Sequence, residues 1–170
     1  NNKIPFLRIC YGMQMAIIEF ARNKLNIKKA TSSEFDKKGV HVIGLINEWK
    51  KDGKTIKGTD KDLGGTMRLG SYDATLKDNS LIRKIYGKNI IKERHRHRYE
   101  VNINYKEKFE KNGMSFSGLS PDGSLPEIIE LKNHPWFVGV QFHPEFKSRP
   151  LAPHPLFSSF IKASKNHKGI

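Results

Sequence analysis

The chain alternates between short apolar runs and stretches with helical spacing. Residues 4–9, IPFLRI, form a run of buried-strand type. In MQMAIIEFARNKL, residues 13–25, Met13, Ile17, Phe20 and Ala21 fall at i, i+4, i+7 and i+8, while Glu19, Arg22 and Lys24 take other faces, so an amphipathic helix is predicted. VHVIGLI (40–46) reads as a strand, and the polar stretch after it, 47–62, as a hairpin or exposed loop. LGGTMRLGSYDATL (63–76) opens on a Gly-Gly break and continues as strand. NSLIRKIYG (79–87) is a short helix, with Asn79 or Ser80 as N-cap and Gly87 as stop. RHRHRYEVN (94–102) is dense in cations before it turns strand-like, and 105–120 reads as helix, glycine turn and strand. Strands follow at 125–133 and at Trp136–Phe142, and a closing helix at 154–164. This alternation predicts one layered α/β domain, with no internal repeat or linker.

Composition narrows the class. The chain has 170 residues, 36% of them hydrophobic and 10% aromatic, which suits one globular domain with a real core. No apolar run approaches the roughly 18–20 residues that span a bilayer, and the N-terminal stretch lacks signal-peptide organisation. A single cysteine leaves no internal disulfide and points to a reducing, cytoplasmic setting. The net charge is +14, but it comes mainly from lysines scattered along the chain. Such a surface favours anionic ligands such as nucleotides without marking a nucleic-acid binder.

That one cysteine carries the chemical question. Cys10 sits where the first strand gives way to the first helix, with Gly12 two residues on. A tight strand-to-helix turn pushes a nucleophile outward, and the helix N-terminus offers N–H groups and a positive dipole end to a thiolate or oxyanion. A cysteine nucleophile also needs a base. Of the seven histidines, His143 ends the apolar strand 136–142, and Glu145 follows two residues later, placed to orient an imidazole. A lone cysteine or a lone histidine is more often structural. The pairing of the two contexts points to catalysis.

PFLRICYGMQ and VGVQFHPEF together resemble class I glutamine amidotransferase domains, which use a Cys-His-Glu triad to release ammonia from glutamine. TSSEFD (31–36), LGGTMRLG (63–70), ERHRHRYEVN (93–102) and NHPWFVGVQFHPEF (133–146) are similar, more narrowly, to the amidotransferase half of the CTP synthase family. The resemblance implies a three-layer open sheet with flanking helices. It implies Cys10 as the nucleophile that forms a γ-glutamyl thioester, His143 as base and then acid, and Glu145 as its partner. It makes the Tyr11 N–H half of the oxyanion hole, and Tyr11, Gly12, Met13 and Gln14 the wall beside the substrate. It sets Glu34 on the α-ammonium of L-glutamine and Arg98 beside the glutamine site. It implies no metal and no cofactor in this domain. ATP, UTP, magnesium and the effector GTP belong to the whole enzyme, whose synthase domain takes the ammonia and which assembles as a homotetramer.

Two departures qualify that picture. Arg8 stands at the elbow position where the family has glycine, and it either clashes, lowers the thiol pKa or reaches solvent. The chain also starts on the elbow strand, so residues 1–170 are expected to be one amidotransferase domain lacking its first strands, its glycine-rich oxyanion loop and the synthase domain. The alternatives are another cysteine hydrolase or a basic binding module. A papain-like enzyme has a compatible Cys-to-His separation of ~130–150 residues, but its local cysteine signature is absent here. A glutamyl peptide hydrolase on the same fold lacks a reason for the RHRHRYEVN segment.

Overall fold

The computed structural model describes residues 3–45 and 67–169. The hairpin or loop expected over 47–62 and the Gly-Gly break lie outside the described residues. The first elements are β1 (Phe6–Ile9), α1 (Tyr11–Asn23), β2 (Ala30–Ser32) and β3 (Val40–Leu45). Next come β4 (Arg68–Leu76), α2 (Leu81–Tyr86), β5 (Ile90–His97), β6 (Tyr99–Val101) and α3 (Lys106–Lys111). The chain closes with β7 (Met114–Leu119), β8 (Pro126–Leu131), β9 (Phe137–Val140) and α4 (Pro155–Lys168). A six-stranded sheet runs β1-β9-β8-β7-β4-β5, and a three-stranded one runs β2-β3-β6. In the large sheet, β1 and β9 are parallel and the other neighbours antiparallel.

The strand period of two sorts side chains onto the two faces of the large sheet. Ile129 joins the cluster of Met13, Ile17, Phe20, Val42, Ile43 and Phe109 on the α1 side. Its neighbour Ile128 joins Ala74, Ile82, Val138, Val140, Phe142 and Leu156 on the α2 and α4 side. Helix α1 is thus held between the large sheet and the small one while α2 and α4 cover the opposite face, which gives the expected α/β sheet with flanking helices. Fully burying a side chain such as Met13 or Ile17 stabilises by about 1.5–3 kcal/mol. Gly139 makes the close approach possible: a Cβ there would lie 2.8 Å from Ile129 Cγ1 and 3.3 Å from Met13 Cγ.

The helices follow their end signals. Ser80 caps α2 by accepting from the Arg83 N–H, and Gly87 ends it at φ 64°. His154 caps α4, with Pro155 in the first turn, and that helix runs on to Lys168 rather than stopping at 164. α1 begins at Tyr11, earlier than its apolar spacing implies, because the elbow starts the helix directly. Two strands went unread. β2 is three small residues long. β5 turns Glu93, His95 and His97 inward, so no apolar alternation marks it.

Candidate active site

β1 and β9 lie side by side in the same direction, with Ile9 opposite Val140. Their C-terminal ends therefore come together, which sets Cys10 beside the start of the Gln141–His143 segment. Cys10 closes the ladder by donating its N–H to the Val140 carbonyl at 2.7 Å. Its own carbonyl accepts from Met13 N at 3.0 Å and Gln14 N at 3.2 Å, opening α1. Serving both elements puts Cys10 at φ 50°, ψ −109°. A non-glycine residue held there stores about 1–3 kcal/mol of strain, which the flanking strand and helix must hold.

Arg8 does not clash. It is exposed, its guanidinium carbon stands 4.5 Å from the centre of the Phe6 ring, and its Nη1 donates to the Leu7 carbonyl at 3.1 Å. Gly12 makes the room, since a Cβ there would meet Arg8 Cδ at 3.0 Å. Of the three outcomes open in the sequence, the side chain takes the outward one.

The imidazole is held from several sides. His143 N donates to the Arg94 carbonyl at 2.8 Å, tying it to β5. A 3-10 turn, Pro144–Phe146, follows at once and returns Glu145 to the ring. Nδ1 and Glu145 Oε1 are 2.6 Å apart, and the Phe146 ring stacks on the imidazole with centroids at 4.9 Å. A carboxylate only accepts, so the pair puts a hydrogen on Nδ1 and, in the neutral ring, leaves the lone pair on Nε2, the tautomer of a base. Nε2 is buried and has no hydrogen-bond partner.

Burial pushes the Cys10 thiol up from its ordinary value; a hydrogen bond from the Tyr11 N–H opposes this, the Glu100 charge adds to it, a hydrogen bond from Gln141 opposes it, and the Glu145 charge adds to it. The resting sulfur is therefore a thiol, and a base must take its proton.

The expected substrate wall divides. The Tyr11 ring is exposed and meets Phe35 edge-on at 6.0 Å, which brings the turn carrying exposed Glu34 against the start of α1. Gly12 lies under Arg8. The Met13 side chain is fully buried in the core, leaving only its backbone at the elbow. Gln14, expected beside the substrate, is largely buried, with its NH₂ turned inward. It is 3% exposed, and its Nε2 donates to the Tyr99 carbonyl at 2.8 Å and to Gln141 Oε1 at 3.3 Å. Arg98 is half-buried at the bend between β5 and β6, one residue before that carbonyl.

Sequence reasoning missed two groups. One is Gln141, fully buried, whose Nε2 lies 3.6 Å from Cys10 Sγ. The other is an ionic seam behind the site. Arg68 Nη1 donates to Glu127 at 2.7 Å and to Glu100 at 3.0 Å, and both carboxylates are buried. His95 Nδ1 and His97 Nε2 are 2.9 Å apart, and His97 Nδ1 is 3.2 Å from the Tyr99 carbonyl. Burial, then Arg68, lowers His95 to about 2 and His97 to about 3, so both are neutral near pH 7. Burial holds the Glu100 and Glu127 carboxyls well above the usual carboxylate range despite Arg68. The signal for this seam was the polar alternation of residues 93–97. Among the described residues no cluster of three His, Cys, Asp or Glu is placed to hold a metal. No described helix is long and apolar enough to cross a membrane.

Comparison with known proteins gives the family. The family model for class I glutamine amidotransferases matches residues 1–163. The CTP synthase of Pelagibacter ubique is 85% identical over 98% of this chain, and that of Maricaulis maris 59% identical over 96%. The chain spans 31% and 30% of the length of those two relatives. Among solved structures, the glutaminase domain of Trypanosoma brucei CTP synthase with bound acivicin superposes with a TM-score of 0.83 at 36% identity. That match covers 96% of this chain and 61% of the other. The chain belongs to the class I glutamine amidotransferase family, and its fold is that of a CTP synthase glutaminase domain.

Proposed function

We propose that this chain hydrolyses the side-chain amide of glutamine and is the glutaminase part of a CTP synthase. The observation that carries the reading is Cys10 at a strained elbow, on the strand next to the one that delivers the paired His143 and Glu145. Cys10 Sγ gives its proton to His143 Nε2, keeps the electron pair and attacks the amide carbon. The Tyr11 N–H meets the developing oxyanion. His143 returns the proton to the departing nitrogen, ammonia leaves, and a thioester remains. Water, activated by the same imidazole, then releases glutamate and restores the thiol. Glu145 steadies the imidazolium throughout. Glu34 receives the α-ammonium, and Arg98 lies beside the glutamine site.

In the whole protein the ammonia would pass to a synthase part that aminates UTP to CTP. ATP, UTP and magnesium would be held there, with GTP as effector, in a cytoplasmic homotetramer. No step assigned to this chain's residues runs through them.

The test is mass spectrometry after exposure to a glutamine-analogue chloroketone. A single adduct on Cys10, blocked by excess glutamine and absent in Cys10→Ala, is expected. No adduct, while a generic thiol reagent still labels Cys10, would overturn the reading.

A further inference from the structure

Gln141 is fully buried at the end of β9, and the reaction described above gives it no part. Its Nε2 lies 3.6 Å from Cys10 Sγ. An amide can present either its oxygen or its NH₂ to a neighbour, and which one faces the sulfur is settled by a chain of partners. The Tyr99 carbonyl can only accept, so the Gln14 group 2.8 Å from it is the NH₂. The second hydrogen of that NH₂ points to Gln141, which must answer with its oxygen, at 3.3 Å. The Gln141 NH₂ is thereby left for Cys10. Flipping either amide would set oxygen against oxygen at Tyr99 or NH₂ against NH₂ between the two glutamines.

We propose that Gln141 is a catalytic residue whose amide N–H holds the Cys10 sulfur as it takes on negative charge, and that Gln14 is the positioning residue that aims it. The proposal rests on Cys10 being the nucleophile. Before attack the sulfur has two donors, the Tyr11 N–H, which passes to the oxyanion once the carbon is attacked, and the Gln141 amide, set against burial and the carboxyls Glu100 on β6 and Glu145 beyond β9. His143 receives the proton. The relay holds the sulfur in place before and after that transfer and exchanges no proton itself. It also gives the Gln14 NH₂ a reason to point inward from the first helical turn, toward Tyr99 and Gln141.

The experiment follows the rate of Cys10 alkylation by iodoacetamide against pH on the purified chain, read on the Cys10 peptide. Circular dichroism checks the fold. Gln141→Leu keeps the volume and removes the donor. The alkylation midpoint should rise by about one pH unit, and the rate at neutral pH should fall about tenfold. Gln141→Glu should shift the midpoint further the same way by adding a like charge. Gln14→Leu, which leaves the sulfur's own contacts in place, should give a smaller rise of the same sign. A folded Gln141→Leu chain with an unchanged midpoint would overturn the proposal, and so would a Gln14→Leu chain that matches the parent. Glutamine turnover is measured alongside. An inactive parent chain with the shifts intact would sink glutamine hydrolysis by this chain, and Gln141's catalytic part with it, while leaving its hold on the sulfur shown by the shifts.

Discussion

The apolar cluster around α1 and the ionic seam of β5 and β6 are equally dry and are held together by opposite physics. Met13, Ile17, Ile43 and Phe109 are fully buried and gain from leaving water. Arg68, Glu93, His95, His97, Glu100 and Glu127 are at most 7% exposed and lose hydration that only well-placed partners can offset. The first region tolerates rearrangement, because one methyl group resembles another. The second depends on each partner being present. It also lies where its charge reaches the nucleophile, since the Glu100 carboxyl, once ionised, acts on the Cys10 thiol. A buried ionic seam is weak support for stability, and its place behind the reacting sulfur argues that it is kept for the site.

The largest break in that contrast should come from Arg68→Met. It leaves Glu100 and Glu127 without their shared cation and should cost about 3–5 kcal/mol where both are ionised, read from denaturant unfolding above pH 8. Adding Glu100→Gln and Glu127→Gln should restore much of the loss; a triple variant as unstable as the single one would refute the charge explanation. Acid–base titration should separate the seam's own members. Glu100, at about 8 in the folded chain against 4.5 free, binds its proton more tightly folded than unfolded. Its contribution is full at low pH and is lost as pH rises through about 8. His95 and His97, at about 2 and 3 against 6.5, contribute fully above 6.5 and lose that contribution as pH falls. Above pH 6.5, of these groups, only the carboxyls still titrate, so unfolding free energy should decline toward pH 8. Glu100→Gln should flatten that decline, and a parental slope in the variant would count against it. Ile43→Val, in the apolar cluster, should cost about 0.5–1.5 kcal/mol with Cys10 alkylation unchanged. Smallest of all, Arg8→Gly should cost no more than about 1 kcal/mol and leave alkylation at its parental rate. A large rate change there would mean that the guanidinium reaches the thiol after all.

What could be read in the sequence was what local patterning encodes. The elbow, α1, β9 and the His143–Glu145 pair each announce themselves within a few residues, because strand ends, helix spacing and a two-residue hop are short-range features. Ser80 and Gly87 marked α2 for the same reason. The seam was illegible because its partners are far apart in the chain. Glu93 meets His154 at 3.0 Å across 61 positions, and Arg68 meets Glu127 across 59. Residues 94–98 looked like a cationic surface because every second residue is a cation, and only the fold turns His95 and His97 inward while Arg94 and Arg96 stay out. Gln141 was hidden differently: inside a strand read as apolar, one amide looked like an interruption. Gln14 was placed beside the substrate by the family resemblance, and the direction of its side chain depends on a carbonyl 85 residues away.

That carbonyl has a consequence for how the site can change over generations. Tyr99 O accepts from Gln14 on one side and lies within reach of His97 on the other, so both the relay to the sulfur and the histidine pair end on one main-chain oxygen. A codon change at position 99 swaps a side chain and leaves that oxygen in place. The anchor is thus shielded from ordinary point mutation, and drift can reach it only by bending β6 itself, a strand held through Val101 and Glu100 against Ile43 and Gly44. The side chain at position 99 should therefore be open to replacement so long as β6 keeps its course.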